Sequence, residues 1–151
     1  MSLLKTKYRP NLTHIINICE VNYMMLLRLI GDKEDVGEER CFCISDFLSY
    51  TISIDEVTRY TSLITMTQDS SIEGYNVNHL MSPKMVIRLY HDARLAEVIS
   101  NQGIRQIKPR YDYPNKQMHQ PDEKQQINIF LKEWLQLSLQ LGRSTITSFA
   151  S

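Results

Sequence analysis

Excess charge of either sign is missing from this chain: 17 Lys and Arg balance 17 Asp and Glu, and the net charge is zero. A protein built to hold duplex nucleic acid normally carries a basic excess, because phosphate contacts supply most non-specific affinity. Nucleic acid is thereby demoted as the main partner. Cysteine is scarce. Cys19, Cys41 and Cys43 are too few and too unevenly placed for a disulfide framework, and nothing supplies four zinc ligands at a suitable spacing. No metal or other cofactor is expected. Long apolar runs are missing too: the stretch 15–30 is broken by Asn17, Glu20, Asn22 and Arg28, too short and too polar to span a bilayer. The first ten residues carry positive charge without the apolar core of a secretory signal behind it. A cytoplasmic protein with no membrane attachment is expected. There is also no Gly-rich phosphate loop and no nucleophile elbow, so no Ser or Cys has the sequence context of a nucleophile.

What is present fits one globular domain spanning residues 1–151, with 1–10 and 143–151 frayed. Hydrophobic residues make up 42% and charged residues 23%, an ordinary balance. A chain of this size buries roughly 70% of its unfolded surface.

The spacing predicts a first helix after Asn11, a capping residue, with Ile16, Cys19, Tyr23, Leu26, Leu27 and Ile30 on one face. Gly31 ends it where a left-handed residue is needed. Gly31 to Glu39 reads as a charged loop. If extended, Cys41-Phe42-Cys43 sets both thiols on one face, where they read as small buried hydrophobes. From Leu48 the period becomes two: Leu48, Tyr50, Ile52 and Ile54 alternate with Ser49, Thr51, Ser53 and Asp55, a strand with one wet face. Further strands are predicted over Thr61–Thr67, Met85–Tyr90 and Leu95–Ile99. A polar loop is expected from Asp69 to Ser82, a reversal at His91-Asp92-Ala93, and a weaker extended piece at Ile104–Lys108. The closing helix has Pro121, Asp122 and Glu123 in its first turn, which suits a helix start. Ile127, Phe130, Leu131, Trp134, Leu137 and Leu141 form its buried face, and Gly142 closes it. The fold class is α+β: an N-terminal helix, an antiparallel meander of four or five strands, and a C-terminal amphipathic helix packed on the sheet.

Several stretches resemble a known family. Arg59-Tyr60-Thr61, the run from Arg88 to Val98, Arg110 to Asn115, Asp122-Glu123-Lys124 and Phe130 to Trp134 look like the YqiB-like family of small bacterial proteins. The resemblance covers nearly the whole chain. It implies a stand-alone bacterial cytoplasmic domain and brings no established activity, cofactor or catalytic residue. It breaks at Pro121, where relatives carry a polar or basic residue, and that touches only how the last helix begins.

The segment from Arg110 to Lys124 concentrates aromatic, charged and hydrogen-bonding side chains in a connector, where sites are usually mounted. Arg88, Tyr90, Arg110, Tyr111, Asp112, Tyr113, Asn115, Glu123 and Lys124 are the candidate binding residues. Arg110 and Lys108 precede a helix N-terminus, and Arg88 and Arg94 flank a reversal; facing one another they would grip a phosphate or carboxylate. The alternative is an internal network, Arg110 to Asp112 or Glu123. Tyr90, Tyr111 and Tyr113 suit anchoring onto the core better than stacking on bases. His91, beside Asp92, and His119 are the acid–base candidates; for His91-Asp92 the plainer account is a turn whose Asp bonds its own backbone. The expected function is a non-catalytic module that binds a partner protein or a small anionic ligand. Its rival is an enzyme acting on a phosphorylated or carboxylated small molecule, with His91 or His119 as acid–base and Arg88 or Arg110 holding the anion.

Overall fold

Alternating side chains build the sheet. In the computed structural model, which describes residues 12–31, 35–72, 75–76, 82–104 and 120–144, α1 (Leu12–Ile30) precedes β1 (Glu39–Ser45), β2 (Leu48–Val57) and β3 (Thr61–Ile72). Then come β4 (Tyr75–Asn76), β5 (Lys84–Tyr90), β6 (Leu95–Gln102), α2 (Gln120–Leu141) and β7 (Arg143–Ser144). The sheet order is β6-β5-β3-β2-β1-β7, with β4 paired to β3, and each pairing is antiparallel. Five long strands therefore form the expected meander between two helices.

Register fixes which side chains share a face. Ile54, Ile64, Ile87 and Val98 align across four strands, and Ile52, Met66 and Met85 across three. These are buried, and both helices pack onto that face in one cluster that includes Leu26, Leu29, Leu131 and Leu135. Each such side chain contributes about 1.5–3 kcal/mol when fully buried. The Tyr50 and Trp134 rings meet there, centroids 5.0 Å apart. The opposite face carries the intervening residues, among them Thr51, Ser53, Thr65 and Thr67, only half-buried.

Four points differ from the sequence expectations. Strand β1 was hidden by its polar flank Glu38-Glu39-Arg40; Phe42 turns into the core while Cys41 and Cys43 stay half-exposed on the other face, not buried as expected. Strand β3 continues through polar Gln68, Asp69 and Ser70, because β2 supplies ladder partners along that whole length and backbone pairing does not depend on hydrophobicity. Ile104 belongs to no strand, and the rest of Ile104–Lys108 lies outside the described residues.

The fourth difference is the phase of the helices. In α1, Ile18, Cys19, Asn22, Tyr23, Met25, Leu26 and Leu29 are buried, whereas the expected Ile16 and Leu27 are exposed. This helix is apolar around most of its circumference, so period alone gives spacing without orientation. In α2, Leu131 and Trp134 are buried as expected, joined by Leu135, Asn128 and Ser138, while Leu141 is exposed. Gly31, at φ +66°, ends α1, and Arg40 Nη1 donates to the last-turn carbonyls of Leu29 and Ile30 at 3.0 and 3.2 Å. Those carbonyls have no partner inside the helix.

Candidate functional site

Two polar groupings arise from this frame, one at the β6 edge and one beside His91. Residues of β5 alternate: Met85, Ile87 and Leu89 enter the core, so Arg88 and Tyr90 take the other face. Arg88 lies in register with Glu97 of β6. The Tyr90 hydroxyl donates to Glu97 Oε1 at 3.2 Å, and Glu97 Oε2 forms an ion pair with Lys124 of α2. Tyr90 and Lys124, both candidates from the sequence, are thus brought together by Glu97, which was not one. A partly exposed pair of this kind contributes under about 1 kcal/mol.

Nearby, a buried amide network joins α1, α2 and β6. Asn22 Nδ2 donates to the Asn128 carbonyl at 3.0 Å. The Val98 amide donates to Asn128 Oδ1 at 3.1 Å, and Asn128 Nδ2 donates to the Lys124 carbonyl at 2.8 Å. Val98 belongs to the outermost strand on that side among the described residues, so Asn128 supplies the acceptor that a further strand would otherwise provide. Burial pushes the Cys19 thiol up to about 11, with Glu97 adding to the rise and Lys124 opposing it. It is a protonated, unreactive thiol at neutral pH.

The second grouping surrounds His91, which follows β5 in the turn to β6. Its Nε2 lies 2.8 Å from the Ser62 hydroxyl of β3 and its Nδ1 lies 3.0 Å from the Tyr23 hydroxyl of α1. In a neutral imidazole one nitrogen donates and the other accepts, so both hydroxyls are matched to the ring. Tyr23 also meets it edge-on, centroids 5.8 Å apart. Asp92, the expected orienting partner, is exposed in the turn, and the ring nitrogens are taken by groups 29 and 68 residues away in sequence. Arg94, in a left-handed backbone conformation at φ 59°, stacks its guanidinium over Tyr23 at 5.5 Å.

His91 and Ser62 help line a cavity of about 390 Å³ between the C-terminus of α1 and the β2–β3 hairpin. Leu27, Ile30, Ile54, Val57, Ile64 and Leu89 provide apolar walls, and Thr58 adds a third hydroxyl-bearing or ring polar group. Among the described residues, no Lys or Arg lines it. Arg88, on the opposite face of the sheet, does not share this space.

Glu123 is exposed in the first turns of α2. Arg110, Tyr111, Asp112, Tyr113, Asn115 and His119 lie outside the described residues. Among the described residues, no three of His, Cys, Asp and Glu are grouped to hold a metal ion, and no helix is long and apolar enough to cross a membrane. The missed partners carried a signal. Ser62 shares the strand parity of Ile64 and Met66, and Asn22 and Asn128 sit at core phase on their helices. A polar residue at a core position must find an internal partner.

A meander covered on one face by two helices, with polar groups gathered at its β6 edge and beside one cavity, defines an α+β protein. Residues 25–144 match the family described as Protein of unknown function (DUF1249). The chain is 41% identical to Uncharacterized protein YqiB of Escherichia coli strain K12 over 140 residues, covering 93% of this chain and 96% of the relative. The match to the protein of the same description from Escherichia coli O157:H7 has the same identity and coverage. The chain therefore belongs to this bacterial family of proteins of unknown function. No solved structure matches it.

Proposed function

We propose that this protein is a cytoplasmic small-molecule-binding module whose ligand occupies the cavity beside His91. The observation that carries this reading is the cavity's make-up: about 390 Å³, six aliphatic side chains in its walls, and a small polar group at Ser62 and His91. Ligand sites are typically such concavities, mostly apolar with a few converging polar groups that fix orientation. The described wall residues, six aliphatic side chains and no Lys or Arg among them, favour an uncharged, largely aliphatic ligand over the phosphate or carboxylate that the arginines of the sequence suggested.

A thermal-shift panel of aliphatic esters, amides, alcohols and ketones, run against phosphosugars and nucleotides, tests this. An aliphatic class should raise the melting temperature in a dose-dependent way, following mass action. Val57 stands at the rim, 44% exposed, so Val57→Trp should block entry without touching the core. The shift should vanish in that variant while the unliganded melting temperature holds. A response confined to phosphorylated compounds, or one that persists in Val57→Trp, would place the ligand elsewhere.

A further inference from the structure

We propose that the same cavity is catalytic, with Ser62 as nucleophile, His91 as general base and Tyr23 as the residue that orients the imidazole, acting on carboxylic esters with short aliphatic acyl groups. This rests on the ligand-binding reading and adds chemistry to it. Nucleophilic catalysis by serine needs a base within hydrogen-bond reach of the hydroxyl, and a third group holding the base on its far side. Both distances are met: 2.8 Å from Ser62 Oγ to His91 Nε2 and 3.0 Å from His91 Nδ1 to the Tyr23 hydroxyl. Such constellations are recognised by geometry and role rather than by order in the chain.

Three separate elements deliver the three groups. Ser62 stands near the start of β3, His91 just past the end of β5, and Tyr23 on the buried face of α1. Antiparallel pairing sets Ser62 opposite Leu89, and the main-chain amide of His91 donates to the Tyr60 carbonyl at 2.9 Å. The imidazole is therefore fixed at both its backbone and its ring. The apolar walls define the acyl group: Leu27, Ile54, Val57, Ile64 and Leu89 offer contact to an aliphatic chain and no charge to an ionic one.

With Nδ1–H donating to the Tyr23 oxygen, Nε2 is free to accept. Ser62 Oγ bonds to the ester carbonyl carbon as its proton passes to His91 Nε2. The carbon–oxygen bond to the alcohol then breaks, and Nε2 returns that proton to the departing alkoxide. Water, giving a proton to the same nitrogen, attacks the acyl-serine; the proton returns to Ser62 Oγ as the acid leaves. The sum is ester plus water giving acid plus alcohol, and no other co-reactant is consumed.

The test is covalent labelling of the full chain with an alkyl fluorophosphonate, followed by peptide mapping. One adduct per chain is expected, on Ser62. His91→Gln should slow labelling by at least ~100-fold, the lower end of general-base contributions. Tyr23→Phe should lower the maximal labelling rate while leaving the half-saturating reagent concentration unchanged, a split that loosened packing would not give. Wild-type mapping needs no variant to fold, so it decides the matter alone: no adduct, or an adduct elsewhere, overturns the proposal. If aliphatic esters still raise the melting temperature in that case, the cavity binds without catalysing; if they do not, the ligand-binding reading falls with it.

Discussion

Replacing Asn128 with Leu would remove the side-chain amide at the junction of α1, α2 and β6 while nearly preserving its bulk. Asn128 is fully buried, and its Oδ1 is the acceptor for the Val98 amide. The Lys124 carbonyl, which now accepts from Asn128 Nδ2, keeps a partner, because the amide of residue 128 lies four positions on in the same helix. The Asn22 bond survives as well, since it ends on the backbone carbonyl of residue 128. Val98 has no such reserve: it lies on the edge strand β6, beyond which no strand pairs among the described residues. A buried amide left without an acceptor costs about 1–3 kcal/mol. A loss of about 2 kcal/mol corresponds, for a chain this long, to a melting temperature lowered by about 4–8 °C. Urea unfolding should show a lower midpoint at unchanged m-value, and amide hydrogen exchange should speed up at Val98 more than at Ile87 in the neighbouring strand. Asn128→Asp provides the contrast: it keeps the acceptor for Val98 while setting a carboxylate against the Lys124 carbonyl, so stability should fall with Val98 still protected. If Asn128→Leu changed stability by less than ~0.5 kcal/mol and left Val98 exchange untouched, the amide would not be capping the edge.

Gly142→Ala should destabilise although φ there is unremarkable, because an added Cβ would lie 2.5 Å from the Ser138 carbonyl oxygen and 3.0 Å from Phe42 Cβ. Overpacking of this kind costs about 1–3 kcal/mol, read as a lower urea midpoint. Alkaline pH should also weaken the fold through Cys19. Its folded thiol is raised from 9.0 to about 11 by burial first, then by Glu97. The unfolded chain therefore loses that proton earlier, and Cys19's contribution, complete below about 9, is lost as pH rises toward about 11. Cys19→Ala should flatten stability over that window, and a slope unchanged by the substitution would show that Cys19 is not its source.

The expectations that succeeded rest on periodicity over long segments. Four strands and both helices announced themselves through spacings of two and of three to four residues, and Leu131 and Trp134 sit where that spacing put them. What failed needed information from a second segment. Strand β1 is held by pairing with β2 on one side and with the two residues of β7 on the other, and polar residues at its start conceal it when it is read alone. The orientation of α1 depends on which arc meets α2. The buried arc carries Asn22, whose Nδ2 donates to the Asn128 carbonyl while its Oδ1 has no partner among the described residues.

The same limit governs the site. Sequence adjacency made Asp92 the natural partner for His91, yet Asp92 belongs to an exposed turn and its neighbour's ring looks inward. What brings Ser62 to that ring is the β3–β5 register, which aligns Thr61 with Tyr90 and Ser62 with Leu89. One residue of slip would turn Ser62 to the wet face and remove Nε2's partner. Polar residues out of pattern nonetheless point to such places before any register is known. Ser62 breaks the apolar parity of Ile64 and Met66, and Asn22 and Asn128 break the apolar phase of their helices. Burying an unpaired polar group costs more than an apolar replacement would. Each exception therefore implies either an internal partner or a ligand. Asn128 and the Nδ2 of Asn22 find partners within the chain, and Ser62 finds His91 at the wall of the cavity.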